Sequence, residues 1–290
     1  AAEYQNFMFF CLGLYILTFG LAFLETAANP YILSMGSKKT ATQRLNLAQA
    51  FNPVGLIAGL FVAQQFILKN LKSDNIMDFN TLDEATKIAI KTSDLLIIRD
   101  PYVILGIVLI GIFIVFLVSK MPQSKDENNF PSIGDTIFAL KNNTNYIFGV
   151  IAQILYVGAQ IMCWTYIYQY AEAISIDAVT AGYYQMIAFV LFIIGRAIGT
   201  YLLKHTNPGK LLLYFAILSI ALIQGTIFIT GTVGLYALVG VSFFMSIMFP
   251  TIYGVALGDL TEDQSKIGSA GLVMAIVGGA LMPKLQGLII

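Results

Sequence analysis

The amino-acid sequence predicts an all-α membrane protein, and three observations carry that prediction. Of its 290 residues 58% are hydrophobic and 11% are charged, against roughly 45–50% and about 25% in an ordinary soluble domain. The mean hydropathy of +0.78 implies more apolar surface than a soluble body of this length can bury. The apolar residues also fall in runs long enough to cross about 30 Å of hydrocarbon, without the period-two alternation of a β-barrel. Several classes drop out on the same arithmetic. The 16 basic and 16 acidic residues cancel, which leaves no positive field for a phosphate backbone and excludes a nucleic-acid binder. The two cysteines, Cys11 and Cys163, each lie deep in an apolar run and read as small buried side chains rather than a disulfide framework. The single histidine, His205, has no CxxC or HExxH motif near it, so neither a metal nor a cofactor is expected. Nucleotide-binding glycine patterns are missing, and no nucleophile–base pair falls at an intramembrane position, so the chain does not read as an enzyme.

Eight charge-poor stretches read as membrane spans. The first, 7–35, would reach about 43 Å as one straight helix. It is therefore expected to tilt or break, at Asn29-Pro30, because proline lacks the amide proton and clashes with the preceding turn. The second, 45–68, carries the amides discussed below. In the connection that follows, Thr81 and Glu84 suggest a capping box for a short surface helix running to about residue 93. The third span, 100–119, lies between Arg99-Asp100-Pro101 and Lys120-Met121-Pro122, and the fourth, 145–171, follows a polar segment containing Ser124–Asn129. The fifth and sixth, 178–203 and 209–229, are parted by Asn207-Pro208-Gly209-Lys210. The seventh, 233–258, holds a second expected break at Phe249-Pro250, and the eighth, 267–289, includes Gly278-Gly279. Gly55-x-x-x-Gly59 and Gly195-x-x-x-Gly199 permit close helix contact.

One set of alternate loops carries Lys38, Lys39 and Arg44, then Lys120, Lys125 and Lys141, then Lys204 and Lys210, then Lys266. The positive-inside rule places that set in the cytoplasm and both ends of the chain outside it. The long connection 69–99 falls outside with five basic residues, balanced by five acids of its own. The sequence thus divides into a three-span part, 1–119, a cytoplasmic loop, 120–143, and a five-span part, 144–290. Pro30 is followed 14 residues later by Arg44, and Pro250 is followed 16 residues later by Lys266. Such a repeat of parallel halves is one way transporters are built. Equal halves would require three further spans before residue 1 and one after residue 290. The opening Ala1-Ala2-Glu3-Tyr4, which lacks the marks of a signal peptide, and the apolar end Leu288-Ile289-Ile290 fit a stretch of a longer chain.

Polar groups inside the spans carry the functional reading. Glu25 lies mid-span, with the nearest basic residue in sequence at Lys38. A charged carboxylate there costs at least about 2.5 kcal/mol on insertion scales. Apolar surroundings favour its neutral form, so it can take up and release a proton as exposure alternates; the plain alternative is a carboxylate pinned by a neighbouring helix. Asn46, Gln49 and Asn52 recur at steps of three and form one polar stripe on the second span. Gln153, Tyr156, Gln160 and Trp164 repeat the pattern on the fourth. Such stripes line a cavity or hold a helix contact. Amides and an indole suit a neutral polyol, offering paired donors and acceptors to hydroxyls and a flat face to C–H groups. The two stripes are expected to face one another across a central cavity. Arg196, near the cytoplasmic end of its span, is expected to snorkel or to pair with Asp259 or Glu262 as a cytoplasmic gate.

Leu24-Glu25-Thr26-Ala27-Ala28-Asn29-Pro30, followed by Arg44 through Asn52, resembles the fucose permease type of sugar:proton symporter of the major facilitator superfamily. The resemblance continues through Tyr156-Val157-Gly158-Ala159-Gln160, Cys163-Trp164, Phe192 to Arg196, Phe249-Pro250-Thr251-Ile252 and Met274 to Gly279. It implies a twelve-helix plan of two six-helix bundles, on which this chain is similar to helices four to eleven, with 120–143 as the loop between bundles. It also implies proton coupling at Glu25 and sugar contact at Gln49 and Asn52. A second acid of that family, on a first helix, has no counterpart here. A monomer in the bacterial inner membrane is implied, carrying fucose, galactose or glucose with a proton, or with sodium as in some relatives. The alternatives are another neutral solute on the same fold, or a membrane receptor that binds sugar without transporting it.

Overall fold

The computed structural model describes residues 7–72, 82–120 and 132–289, and every regular element among them is helical. Eight segments are long and apolar enough to cross a membrane, and they coincide with the expected spans.

Helix α1 (Phe7–Ser34) passes through Pro30 without interruption, so the break expected there is absent. Pro30 supplies no amide proton to the Thr26 carbonyl; Ser269 Oγ donates to it instead at 3.0 Å, and the helix continues. The second span is divided at Ala50 into α2 (Ala41–Gln49) and α3 (Phe51–Val62), then closes in a π turn, Ala63–Ile67. Helix α4 (Glu84–Val118) corrects the expected short surface helix: it runs unbroken through Pro101 and forms the third span as well. Asp83 caps it by accepting from the Thr86 amide at 3.1 Å, while Thr81 lies outside the described residues. Glu84–Arg99 is rich in helix formers, so α4 extends past the length the bilayer needs.

Helix α5 (Ile133–Asn142) lies within the 120–143 segment, whose Ser124–Asn129 portion falls outside the described residues. Helix α6 (Thr144–Ala173) is capped by Asn143, and α7 (Ala178–Leu202) by Asp177, each accepting a backbone amide at 2.9 Å. Helix α8 (Pro208–Phe228) opens with proline in its first turn, where no intrahelical donor is needed. The seventh span breaks as expected into α9 (Thr232–Met245) and α10 (Met248–Leu257), one turn before Pro250. The eighth comprises α11 (Glu262–Met274), which starts on a Thr261/Gln264 capping box, and α12 (Gly278–Ile289).

The chain forms two compact units, Ala1–Leu21 with Gly55–Asn129, and Ala22–Val54 with Phe130–Ile290. In the first, the π turn packs against α4, and the Lys72 amide donates to Asp94 at 2.8 Å. Most of the large apolar side chains of α4, such as Ile110 and Phe113, are exposed, which suits contact with lipid. In the second unit α6 is central, packed against α7, α9, α10 and α12, while α10 also lies against α2. Gly195 and Gly199 sit against Phe243 and Ile247, and Gly278 against the Ile154 carbonyl, where an added Cβ would collide. Gly55 and Gly59 have open space around them.

Candidate functional site

The stripe on the second span folds into a buried polar chain within the larger unit. Asn52 Nδ2 donates to Gln49 Oε1, and Gln49 Nε2 donates to Asn29 Oδ1 at 2.9 Å. Asn29 stands one turn beyond Glu25 on α1. Glu25 itself is half-buried and makes no hydrogen bond or ion pair among the described residues. Asn46, fully buried, donates to the Thr42 carbonyl at 2.9 Å and to Thr251 Oγ1 on α10 at 3.2 Å.

The stripe on α6 turns toward α9 and α10. The Tyr156 hydroxyl donates to the Met245 carbonyl at 2.8 Å, at the end of α9. Trp164 Nε1 donates to Ser242 Oγ at 3.2 Å, and its ring meets Phe189 and Phe192 edge-on with centroids 5.1 and 5.4 Å away. Gln160 is buried and makes no hydrogen bond among the described residues. Gln153 is fully buried with neither amide atom partnered, one turn along α6 from Gly149, which packs on Ala256 of α10. The two stripes therefore do not bond to each other. Each bonds into the broken seventh span, which packs against both α2 and α6.

Arg196 differs from expectation in its partners. It is 4% exposed, and neither Asp259 nor Glu262 is among its contacts. Nε donates to the Ser246 carbonyl and Nη1 to the Gln49 carbonyl, both at 2.7 Å, with the guanidinium 4.8 Å from the Phe192 ring centroid. The reason lies four residues further along each helix. Pro250 and Pro53 have no amide proton to give to Ser246 and Gln49, and a buried carbonyl left without a donor is costly. Arg196 thus serves two proline-freed carbonyls with one planar fork, and Ser269 serves a third at Thr26. Asp259 instead accepts from Asn145 Nδ2 at 3.3 Å, and Glu262 is an exposed first-turn residue of α11.

Sequence reasoning missed Asn29, Thr251, Ser246 and Ser269 as partners. Asn29 had a signal, its one-turn spacing from Glu25. The serines and the threonine had none, because small hydroxyl residues are common in apolar helices.

Broken helices with buried amides beside them are the pattern of a membrane transporter, and the sequence pattern of the Major Facilitator Superfamily matches residues 1–283. Within that superfamily the chain belongs to the fucose/galactose/glucose symporter family. It is 52% identical to the L-fucose-proton symporter of Haemophilus influenzae over 297 aligned residues, covering 100% of this chain and 69% of that protein. To the L-fucose-proton symporter of Escherichia coli it is 35% identical, covering 100% and 67%. To a glucose/galactose transporter of Brucella abortus it is 29% identical, covering 99% and 66%. The crystal structure of the transporter FucP in the outward conformation superposes with a TM-score of 0.91 at 34% identity, over 100% of this chain and 71% of that one.

Proposed function

We propose that the protein carries a neutral hexose into the cell by symport with a proton, across the bacterial inner membrane. The observation that carries this reading is Glu25: a carboxylate at mid-span, without an ion partner among the described residues, one turn from the amide chain Asn29–Gln49–Asn52. It is the group in this chain placed to change charge between the two exposures of the site. Gln49, Asn52, Gln160 and Trp164 are assigned to the sugar, whose hydroxyls match amide donors and acceptors and whose C–H face matches the indole. Asn46, Gln153 and Tyr156 are assigned to the helix contacts that shape the site. Arg196 is assigned to the cytoplasmic gate, with Asp259 and Glu262 at its mouth. Residues 1–119 and 144–290 are read as parts of two bundles joined by 120–143, and the eight spans as helices four to eleven of a twelve-helix monomer. The shares of the relatives covered support that reading.

The test is uptake of labelled fucose, galactose and glucose by the full-length protein in proteoliposomes, under proton and sodium gradients in turn. Accumulation of one hexose on a proton gradient alone is expected. Glu25→Gln keeps the shape of a protonated carboxyl but cannot release a proton. It is expected to lose at least about tenfold in accumulation, a change worth roughly 1.4 kcal/mol, while retaining sugar exchange. Wild-type accumulation by this variant would remove the assignment, and accumulation driven by sodium alone would replace the coupling ion.

A further inference from the structure

We infer that Tyr253 is a positioning residue for proton coupling, its hydroxyl serving with the Asn29 amide as the donor pair that receives the Glu25 carboxylate when it is charged. This rests on the coupling role of Glu25 proposed above.

Tyr253 is 0% exposed and Asn29 is 3% exposed, yet neither Tyr253 Oη nor Asn29 Nδ2 makes a hydrogen bond of good geometry among the described residues. Two unpaired donors side by side in a dry interior are costly to keep. Phe at 253 would avoid the tyrosine's share of that cost, whereas Asn29 is also needed to hold Gln49, so it is the Tyr253 hydroxyl that points to an acceptor that comes and goes. The surroundings supply one. Asn29 and Ser269 stand within loose hydrogen-bonding reach of the Tyr253 hydroxyl, and Glu25 is within electrostatic reach of it. Ser269 fastens α11 to α1 at Thr26, the residue after Glu25, by its 3.0 Å bond to that carbonyl. Gln49 occupies the carbonyl end of the Asn29 side chain, which leaves its NH2 group as the free end.

The other groups near this point do not replace the pair. The hydroxyl of Tyr146, on α6, is engaged with the Gly268 carbonyl at 3.0 Å. On α11, Lys266 and Asp263 pair with each other at 3.6 Å near the helix start. Arg196 on α7 is committed to the Gln49 and Ser246 carbonyls. A protonated Glu25 needs no donor, so the pair stands idle in one half of the cycle and is occupied in the other. Hydrogen bonds to the charged form favour that form, so the pair would ease proton release without contributing a charge of its own.

The experiment compares wild type, Tyr253→Phe and Glu25→Gln in the full-length transporter, reading sugar exchange and proton-driven accumulation across pH together with the thermal unfolding midpoint. Losing the hydroxyl is expected to move the pH at half-maximal exchange upward by about one unit, with unfolding unchanged or slightly later, since an unpaired buried polar group has been removed. Glu25→Gln should show a flat exchange profile over the same range. Should Tyr253→Phe keep the wild-type midpoint while Glu25→Gln is flat and uncoupled, the inference fails and the coupling role stands. If Glu25→Gln still accumulates sugar, the coupling role fails and takes the inference with it. A Tyr253→Phe protein that unfolds earlier or cannot be purified would make the hydroxyl structural and also overturn the inference.

Discussion

A guanidinium removed from water needs acceptors of good geometry to offset its desolvation, and Arg196 finds them in the main chain. Arg196→Lys keeps the charge but presents a compact ammonium in place of a fork, so one of the two carbonyls is left open. The expected cost is about 1–3 kcal/mol, read as a lower unfolding midpoint in detergent, with slower sugar exchange. Asp177 offers a milder and separable test. The Thr180 amide and hydroxyl hold its carboxyl below the usual carboxylate range. A carboxylate with a lowered folded pKa contributes stability above its unfolded value, near 3.9, and loses it as pH falls through the folded one. Asp177→Ala should therefore unfold a few degrees earlier than wild type at neutral pH, and the two should converge below about pH 4. At this scale the sequence displayed the residue types well: a mid-span acid, spaced amides and an arginine within a span were all visible, though the burial of that arginine was not. The partners were not. Arg196 reaches acceptors 50 and 147 residues away in the chain, and a main-chain oxygen carries no letter in the sequence to mark it.

Prolines set the element scale, but what each one does depends on its neighbours. Pro30 leaves α1 continuous, whereas the helices around Pro53 and Pro250 part a few residues before the ring. Pro250→Ala would return an amide proton to the Ser246 carbonyl and favour one continuous helix over 232–257. Arg196 would then lose an acceptor, so the variant is expected to be less stable than wild type even though proline has been removed from a helix. Thermal unfolding of Pro250→Ala and Arg196→Lys, singly and combined, should show the two effects to be non-additive. At Gly278 the constraint is space. Gly278→Val would drive a side chain into the Ile154 carbonyl where α12 meets α6, at an expected cost of about 1–3 kcal/mol or more. The span positions were legible because hydrocarbon thickness enforces long apolar runs. The continuity of α4 from Glu84 through Pro101 was not, since the turns before Arg99 read as a separate short surface helix when only lipid-length stretches are counted. The π turn at Ala63–Ile67 left no sequence mark.

At the scale of the molecule, three bonds fasten residues 26–49 to α7, α10 and α11: Ser269 to the Thr26 carbonyl, Asn46 to Thr251, and Arg196 to the Gln49 carbonyl. A transporter that alternates its exposure must weaken some such set in every cycle. Each bond contributes roughly 0.5–1.5 kcal/mol, so losing one shifts a two-state equilibrium about two- to tenfold. Thr251→Val or Ser269→Ala should accordingly raise the labelling rate of a cysteine placed at Thr42, which faces Gly254, by about that factor. Unchanged labelling in both would show that the contact does not open. Two of these three bonds end on peptide oxygens, and this has a consequence for heredity. Substitutions of the side chains at Gln49, Ser246 or Thr26 cannot erase an acceptor that every amino acid carries. The lesions able to cancel it map instead to Pro53, Pro250 and Pro30, four residues downstream in each case, and a genetic screen for suppressors of an Arg196 defect is expected to return changes at the first two of those prolines.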